Sequence, residues 1–354
     1  MNATCKLMIK KVFRLFAAAF ILLSLTGCGM GYYMHLAYGQ LRLVWGSVPV
    51  EEAVKEGPLS SEELEQLQLI GAVKKFGEQE LGLKSTGSYE TVYLKSRQNP
   101  LYTVSASPKD RLARVTWWFP IVGEMPYIGF FDVESANQRK EKLLKQDLDV
   151  IVSKANAYST LGWFNDPVTL NLLDAGDVEL AQIILHEMTH TTLYVKGQGE
   201  FNEGIAMLVG LAGAARFFEQ RYGPAHAPAV EARQAVEEER GFSSFLDSIL
   251  KRLEELYGSS LGYEEKLARR EATFSAALEE FNILKKDLHV QRYIRFGSSG
   301  LNNAYLMSLA LYHRHFSLFE AMLSREGSVR NMLATLRHIS EEEGNMLSKM
   351  RSRL

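Results

Sequence analysis

The sequence predicts an α+β protein in which helices dominate. Between residues 89 and 133, short runs of Tyr, Val, Thr, Trp and Phe are interrupted by Pro and Gly, a pattern that is typical of a small sheet. After residue 179 the apolar residues recur at helical spacing almost to the end of the chain. The 354 residues contain no internal repeat and no low-complexity linker, so we expect a single domain after the N-terminal segment.

The elements follow in order along the chain. A first helix is predicted at residues 29–46, and a second begins at the capping sequence Ser60-Ser61-Glu62-Glu63 and continues to about Leu81. Strands are predicted at residues 90–95, 101–105, 114–119 and 127–132, followed by a helix at 134–147 and a strand at 149–155. Further helices are predicted at residues 226–257, 262–286, 302–323 and 327–350. Within the first of these, Glu237-Glu238-Glu239-Arg240 is predicted to be a solvated face.

A candidate metal site lies in the helix predicted from residue 179. It contains His186-Glu187-Met188-Thr189-His190 inside an apolar run. Residues four apart share one face of a helix, so His186 and His190 can present imidazole nitrogens to one metal ion. Glu187 can reach a water on that metal, which is the arrangement of zinc hydrolases with a general base. The alternative is a buried helix with two satisfied histidines, but these groups would be costly there without a partner. The motif therefore predicts one zinc ion.

The third ligand is predicted to be Glu203, because catalytic zinc usually takes three protein ligands. Lys196-Gly197-Gln198-Gly199 supplies a helix stop, and Asn202 can cap a new helix. Five extended residues span about 16 Å, enough to bring the chain back beside the first helix. Glu203 then lies in the first turn of the second helix. Glu200 is the nearest competitor, but it lies in the predicted loop, where a solvated role is expected.

The HExxH motif followed by Asn-Glu-x-x-Ala at residues 202–206 resembles the gluzincin pattern, in which that glutamate is the third zinc ligand. The resemblance implies a mostly helical, zincin-like catalytic domain with a small N-terminal sheet. Two features depart from the pattern: only twelve residues separate the second histidine from the glutamate, and Met207 stands where some gluzincins carry an acid. The partner of the zinc-binding histidines therefore stays open among Asp174, Asp177 and Glu179.

A second resemblance, to the bacterial family of predicted aminopeptidases that begin as lipoproteins, covers most of the chain. The shared landmarks, in order, are Gly-Cys-Gly-Met-Gly-Tyr-Tyr at 27–33, Gly39-Gln40-Leu41, Trp-Phe-Pro-Ile-Val-Gly at 118–123, Pro126-Tyr127-Ile128-Gly129, the run at 157–167, the HExxH run, Phe-Asn-Glu-Gly-Ile-Ala at 201–206 and Leu301-Asn302-Asn303-Ala304. The resemblance implies metal-dependent peptide hydrolysis. The aminopeptidase specificity is likewise implied by the resemblance.

The N-terminus has the pattern of a bacterial lipoprotein signal. Four basic residues precede an apolar run that ends in Leu25-Thr26-Gly27-Cys28. This tetrapeptide resembles the lipobox, which implies removal of residues 1–27 and lipidation of Cys28. An uncleaved transmembrane anchor is the alternative, but the apolar run is short for a span. Position 29, after the cysteine, is glycine and not the aspartate that retains lipoproteins in the inner membrane of enteric bacteria. In a cell with two membranes we therefore expect outer-membrane anchoring that faces the periplasm.

The composition indicates what stabilises the domain and which class of partner is excluded. Cys5 and Cys28 are the two cysteines, so the domain of residues 28–354 depends on its hydrophobic core and not on a disulfide. Within it, residues 28–178 are predicted to hold a helix and the small sheet, and residues 179–354 the helical part with the metal site. Removal of residues 1–27 moves the formal charge from −2 to −6, with 36 basic against 42 acidic side chains. This balance argues against nucleic acid as a partner, and the sequence does not indicate an oligomeric state.

Two further features are candidates for contacting a peptide substrate. Trp163 and Phe164 follow the last predicted strand, where a strand edge can bind the substrate backbone by β-augmentation; core packing is the alternative. The oxyanion that develops during hydrolysis needs a donor besides the metal. Tyr305 and Tyr312 are seven residues apart on one helix face, and Tyr312 is the first candidate, with packing as its alternative role.

These features together predict a zinc-dependent peptidase, with peptides as substrates and the membrane as its attachment site. A zinc endopeptidase is one alternative, and a non-catalytic envelope binding lipoprotein with a structural metal is the other. A structural zinc would need a fourth protein ligand and would leave Glu187 without a task. An aminopeptidase needs an acid near the metal for the free α-amino group, and the sequence does not identify that acid.

Overall fold

The computed structural model describes residues 30–97, 101–119, 123–154, 165–289 and 292–354. The chain divides into two compact units, Met1–Gly46 and Ser47–Leu354, which are described separately. In the first unit, helix α1 (Met30–Gly46) confirms the helix predicted at 29–46. The predicted signal peptide and Cys28 lie outside the described residues. Among the helices in the described ranges, none has the length and apolar character needed to cross a membrane.

The second unit begins with a short strand and two helices. They are β1 (Val48–Pro49), α2 (Val50–Glu56) and α3 (Ser61–Phe76), and a π-helical turn at Gly77–Leu81 extends α3. The predicted cap of α3 is confirmed. Ser60 Oγ accepts a hydrogen bond from the Glu63 N–H at 3.2 Å, and the Glu63 carboxylate accepts one from the Ser60 N–H at 2.7 Å. These bonds satisfy two backbone donors that would otherwise have no helical partner.

The strands of the described ranges form three small sheets, whereas one sheet was predicted. The further strands are β2 (Thr91–Tyr93), β3 (Tyr102–Pro108), β4 (Trp117–Phe119), β5 (Gly123–Met125), β6 (Ile128–Phe130), β7 (Leu148–Lys154) and β8 (Val168–Thr169). The sheets have the orders β1-β2-β8, β6-β3-β7 and β4-β5. The sequence did not indicate β1 or β8. These two strands pair with the two edges of β2, so β2 belongs to a different sheet from β3. Helix α4 (Val133–Leu144) precedes β7.

The remaining helices are α5 (Asp177–Thr192), α6 (Gly199–Tyr222), α7 (Ala227–Gly258), α8 (Tyr263–Leu284), α9 (Asn303–His313), α10 (Phe316–Glu326), α11 (Val329–Ser340) and α12 (Met346–Arg351). Two predicted helices are each split in the structure. The backbone leaves the helical region at His315, with φ −112° and ψ 18°, which separates α9 from α10. Gly344 has a φ of +113°, which a helix does not allow, and Asn345 then caps α12. The predicted class, α+β with mainly helices, is confirmed.

Two hydrophobic clusters hold this unit together. The main cluster lies between α3, α5, α6, α10 and α11. The second lies between α7, α8 and α9, and at its centre the ring of Phe242 stacks on that of Tyr293 at 3.9 Å. Helix α9 contributes to both, since Leu306 belongs to the second cluster and Tyr312 packs against the first. The position of α9 therefore depends on both clusters.

A buried polar group fixes the start of α9. The Asn303 side chain is fully buried, and its amide donates to the carbonyl of Pro108 at 2.9 Å while its oxygen accepts from the Tyr257 hydroxyl at 2.9 Å. The Asn303 N–H donates to Asp149 Oδ2 at 2.9 Å, and Arg270 donates to the same oxygen at 2.9 Å. These bonds join α9 to β3, β7, α7 and α8, and they pair groups that would be costly to bury alone.

The predicted solvated face at residues 237–240 is wrong for two of its members. Glu238 and Glu239 are 5 % and 0 % exposed. The Glu239 carboxylate lies 2.8 Å from His313 Nδ1 and accepts a hydrogen bond from the Tyr293 hydroxyl. Burial raises the pKa of Glu239, but the His313 ring outweighs it, and the pKa is lowered from its ordinary value. Part of this charged run on α7 therefore holds the end of α9 in place, through the contact of Glu239 with His313.

Candidate metal centre

Helices α5 and α6 are joined by a loop at residues 193–198 that a single buried side chain holds. Asn202 is not the cap of α6, as predicted, because the helix begins at Gly199 with Gln198 as its N-terminal flank. Instead, the Asn202 amide donates to the Val195 carbonyl and accepts from the Val195 N–H, both at 2.8 Å. Because its side-chain amide makes these two bonds, Asn202 does not cap the helix. The bonds hold the loop so that the chain turns back toward α5.

A glycine about three turns into α6 allows the two helices to approach closely. A Cβ at Gly210 would lie 2.7 Å from the backbone oxygen of Gln182 and 3.4 Å from His186 Cβ. Only a residue without a side chain fits this contact between α6 and the backbone of α5. The close approach brings the side chains of the two helices within reach of each other.

Three predicted ligands converge where α5 and α6 meet. His186 Nε2 lies 3.2 Å from Glu203 Oε2, His190 Nε2 lies 3.3 Å from the same oxygen, and the two nitrogens are 3.1 Å apart. The three side chains are 14 %, 4 % and 12 % exposed in the order His186, His190 and Glu203. The two histidines thus occupy one face of α5, and Glu203 faces them from α6.

The spacing and type of these atoms fit a zinc ion. Tetrahedral zinc holds nitrogen and oxygen ligands at about 2.0–2.1 Å, which places the ligand atoms about 3.3 Å from one another. The observed separations of 3.1 to 3.3 Å agree with that value. Two imidazoles and one carboxylate also form a donor set of catalytic zinc sites, which leave the fourth position open.

Glu203 and His190 each shift the pKa of the other toward its charged form. Burial raises the pKa of Glu203, but the His190 and His186 rings outweigh it and lower the pKa to about 2. Burial lowers the pKa of His190, while the Glu203 carboxylate more than compensates, so this pKa is raised from its ordinary value. The Glu203 carboxylate between the two imidazoles is therefore already deprotonated, which is the form that binds a metal ion.

Glu187 lies beside this triad without belonging to it. The half-buried Glu187 side chain is not among the converging ligand atoms. Burial raises the pKa of Tyr89, Tyr127 and Tyr312, and the negative charge of Glu187 raises each further. The charge of Glu187 thus acts on three tyrosines, one of which, Tyr312, lies beside His186.

Three half-buried tyrosines surround Glu203. They are Tyr127, Tyr194 and Tyr312; burial raises the pKa of each, and Glu203 raises it further. The Tyr312 ring lies 6.2 Å from the His186 ring at an angle of 30°. The structure thus brings Tyr312 to the predicted site. The sequence did not single out Tyr127 or Tyr194, although Tyr127 is part of the landmark at residues 126–129.

The other tyrosine and acid candidates lie elsewhere. Tyr305 packs in the second cluster, and its hydroxyl accepts from the Gly297 N–H at 3.4 Å. Glu200 is not among the converging ligand atoms, but its predicted place in a solvated loop is wrong: it lies in the first turn of α6 and pairs with Arg114 at 2.8 Å and with His315 at 3.2 Å. Burial raises the pKa of Glu200, but these two partners outweigh it and lower the pKa to about 2. Because α6 begins at Gly199, Glu203 lies in its second turn and not in the first, as predicted.

Besides Glu203, no acid among the described residues is hydrogen-bonded to His186 or His190. The buried Nδ1 of His190 has no hydrogen-bond partner there. Asp177 accepts a hydrogen bond from Gln66 at 2.7 Å, and the Asp174 and Glu179 side chains are exposed. The predicted substrate-binding residues, Trp163 and Phe164, lie outside the described residues.

Residues 31–347 match a family model described as "Putative aminopeptidase". The chain belongs to this family. Membership supports a peptidase, in agreement with the resemblance noted from the sequence landmarks. No curated protein and no solved structure matches the chain.

Proposed function

We propose that this member of the aminopeptidase family is a zinc-dependent peptide hydrolase, an aminopeptidase held in the cell envelope by a lipid on Cys28. The observation that supports the metal most is the convergence of His186, His190 and Glu203 with separations of 3.1 to 3.3 Å. The family match supports the peptidase, and the lipobox sequence supports the anchor. Outer-membrane attachment facing the periplasm belongs to the same proposal.

The residues divide the chemistry between them. His186, His190 and Glu203 would hold one zinc ion, which would supply Lewis-acid chemistry by lowering the pKa of a water and polarising the scissile carbonyl. Glu187 takes the proton of the attacking water and delivers it to the leaving amine. Its position beside the ligands, but outside the ligand set, suits this shuttle.

Tyr312 is the proposed donor to the oxyanion. Because burial and the nearby carboxylates raise its pKa, the phenol keeps its proton at physiological pH and can donate a hydrogen bond. Its ring lies 6.2 Å from that of His186, on the side of the ligands from which α9 approaches. Substrate binding by Trp163 and Phe164 through β-augmentation completes the proposal.

The general base is tested by Glu187→Gln in the zinc-loaded protein. The variant should bind one zinc ion with unchanged affinity and unfold at the same temperature, while kcat for peptide hydrolysis falls about 100- to 10,000-fold. Glu237→Gln, a change of the same type at an exposed position of α7, is the matched control and should keep full activity. Cleavage at the wild-type rate by the Glu187→Gln variant contradicts the assignment, and it would leave a structural zinc as the better explanation.

The aminopeptidase specificity is tested with free and N-acetylated forms of one peptide. An aminopeptidase should cleave the free peptide from its first residue and leave the acetylated form intact. Equal cleavage of both forms identifies an endopeptidase, the alternative that keeps the same metal chemistry.

A further inference from the structure

Arg292 places a cation beside the candidate metal centre. Its Nη1 donates to Gln182 Oε1 at 2.5 Å, and its Nη2 lies 3.3 Å from Met207 Sδ. Gln182 is four residues before His186 on α5, and Met207 is four residues after Glu203 on α6. Residues four apart share a helix face, so the guanidinium lies about 6 Å along these helices from the metal ligands and on the same face.

No salt bridge among the described residues neutralises Arg292. Its guanidinium donates to an amide oxygen and contacts a thioether sulfur, both neutral, and the negative charges of Glu239 and Glu179 act on it from beyond salt-bridge distance. An acid at position 207 would pair with the guanidinium, whereas Met207 does not neutralise it. Arg292 is also exposed to solvent, in contrast to the buried histidine ligand His190. A solute in the cleft can therefore reach the cation.

We propose that Arg292 forms a carboxylate-binding subsite and that the enzyme prefers peptides with a carboxylate close to the scissile bond. This inference rests on the proposed peptidase function and names its substrate class. A guanidinium binds a carboxylate through two parallel hydrogen bonds. One residue spans about 3.3–3.6 Å, so a carboxylate that reaches a guanidinium about 6 Å along the helices from the ligands belongs to the residue that follows the scissile bond or to its neighbour. The carboxylate is either an acidic side chain or the C-terminus of a short peptide.

Two pairs of dipeptides separate these sources. Leucyl-glutamate amide against leucyl-glutamine amide tests the side chain, and leucyl-glycine against leucyl-glycine amide tests the C-terminus. The full chain, purified in detergent and supplied with zinc, should show a kcat/KM about 10- to 100-fold higher for the carboxylate member of at least one pair. Arg292→Met should abolish that preference while the neutral peptides are still cleaved. Equal kcat/KM within both pairs for the wild type would overturn the proposal.

Two further variants control for the fold. Arg292→Lys keeps the charge without the two-pronged geometry and should retain part of the preference. Arg295→Met, at an exposed arginine one turn further along the same segment, should retain all of it. A preference that persists unchanged in Arg292→Met, with all variants equally stable to heat, also overturns the proposal.

Binding gives a readout that does not depend on turnover. In the Glu187→Gln background, calorimetry should show the carboxylate member of the preferred pair binding about 10-fold more tightly, and Arg292→Met should remove the difference. If no peptide is hydrolysed by the wild type, the proposed function fails, and this binding difference decides the subsite by itself. Equal binding of both members of each pair then overturns the subsite as well.

Discussion

Replacement of Gly210 by alanine should separate the two helices that carry the metal ligands. The added Cβ would lie 2.7 Å from the Gln182 backbone oxygen and 3.4 Å from His186 Cβ. A carbon–oxygen contact ordinarily needs about 3.3 Å, so the helices must move apart by roughly 0.6 Å. The obstacle is backbone and cannot rotate away. A displacement of this size exceeds the tolerance of about 0.2 Å that metal–ligand distances allow.

The expected magnitudes follow from the two effects of the methyl group. Overpacking between α5 and α6 costs about 1–3 kcal/mol, and the greater helix propensity of alanine returns about 1 kcal/mol. The free energy of unfolding without metal should therefore fall by at most about 2 kcal/mol. Zinc affinity should fall by at least about 10-fold, a loss typical of misplaced metal ligands.

The assay is zinc competition against a chromophoric chelator, combined with urea unfolding of the metal-free protein. Gly213→Ala is the matched control on the same helix, because its Cβ would meet only side-chain atoms of Leu185 and Leu81, both at 2.8 Å, which can rotate. It should lower stability and leave zinc affinity within about twofold. Zinc binding by Gly210→Ala that equals the wild type would refute the reasoning, since it would show that the helix spacing does not set the ligand geometry.

Three further predictions concern α9 and the charges near the site. Tyr312→Phe should lower kcat about 10- to 1,000-fold and keep the zinc stoichiometry, measured by steady-state kinetics and zinc titration; an unchanged kcat removes Tyr312 from the mechanism. Asn303→Ala should lower the free energy of unfolding in urea by about 2–4 kcal/mol, because buried partners lose their bonds; a loss below about 1 kcal/mol contradicts this. Glu200 has a folded pKa of about 2 against an ordinary 4.5, so its stabilisation is complete above pH 4.5 and is lost as the pH falls toward 2. The stability difference between wild type and Glu200→Gln, on the order of 2–3 kcal/mol at pH 7, should shrink over that range, and a pH-independent difference argues against the ion pair with Arg114.

The features that the sequence predicted correctly depend on local geometry. The four-residue spacing of His186 and His190 determines that they share a face of α5 wherever that helix packs. The short loop before Glu203 limits how far α6 can lie from α5, so the convergence of all three could be predicted from spacing. The capping box at Ser60 is likewise a contact between residues three apart.

The features that it did not predict depend on contacts between distant residues. Glu239 belongs to an acidic run that looks solvated, and its burial follows from the approach of His313 on a helix 74 residues later. Asn202 has the residue type of a helix cap, yet its amide binds the loop at Val195. Tyr127 lies just before β6, and the charge of Glu203 acts on it although 76 residues separate the two in sequence. The residue type limits the contacts that such a side chain can make, and the packing of distant elements determines which of these contacts it makes.

The candidate site consists of two parts that the structure holds in different ways. The metal ligands belong to α5 and α6, which touch through Gly210 and are joined by the loop that Asn202 clamps. Tyr312 belongs to α9, which is fixed at its start by Asn303 and at its end by the bond between His313 and Glu239. Both anchors of α9 are buried polar groups, which stabilise only when every member is paired. We therefore expect loss of one anchor to move the tyrosine and leave the three candidate ligands in place, so that under the proposed function turnover would fall while zinc affinity stayed the same.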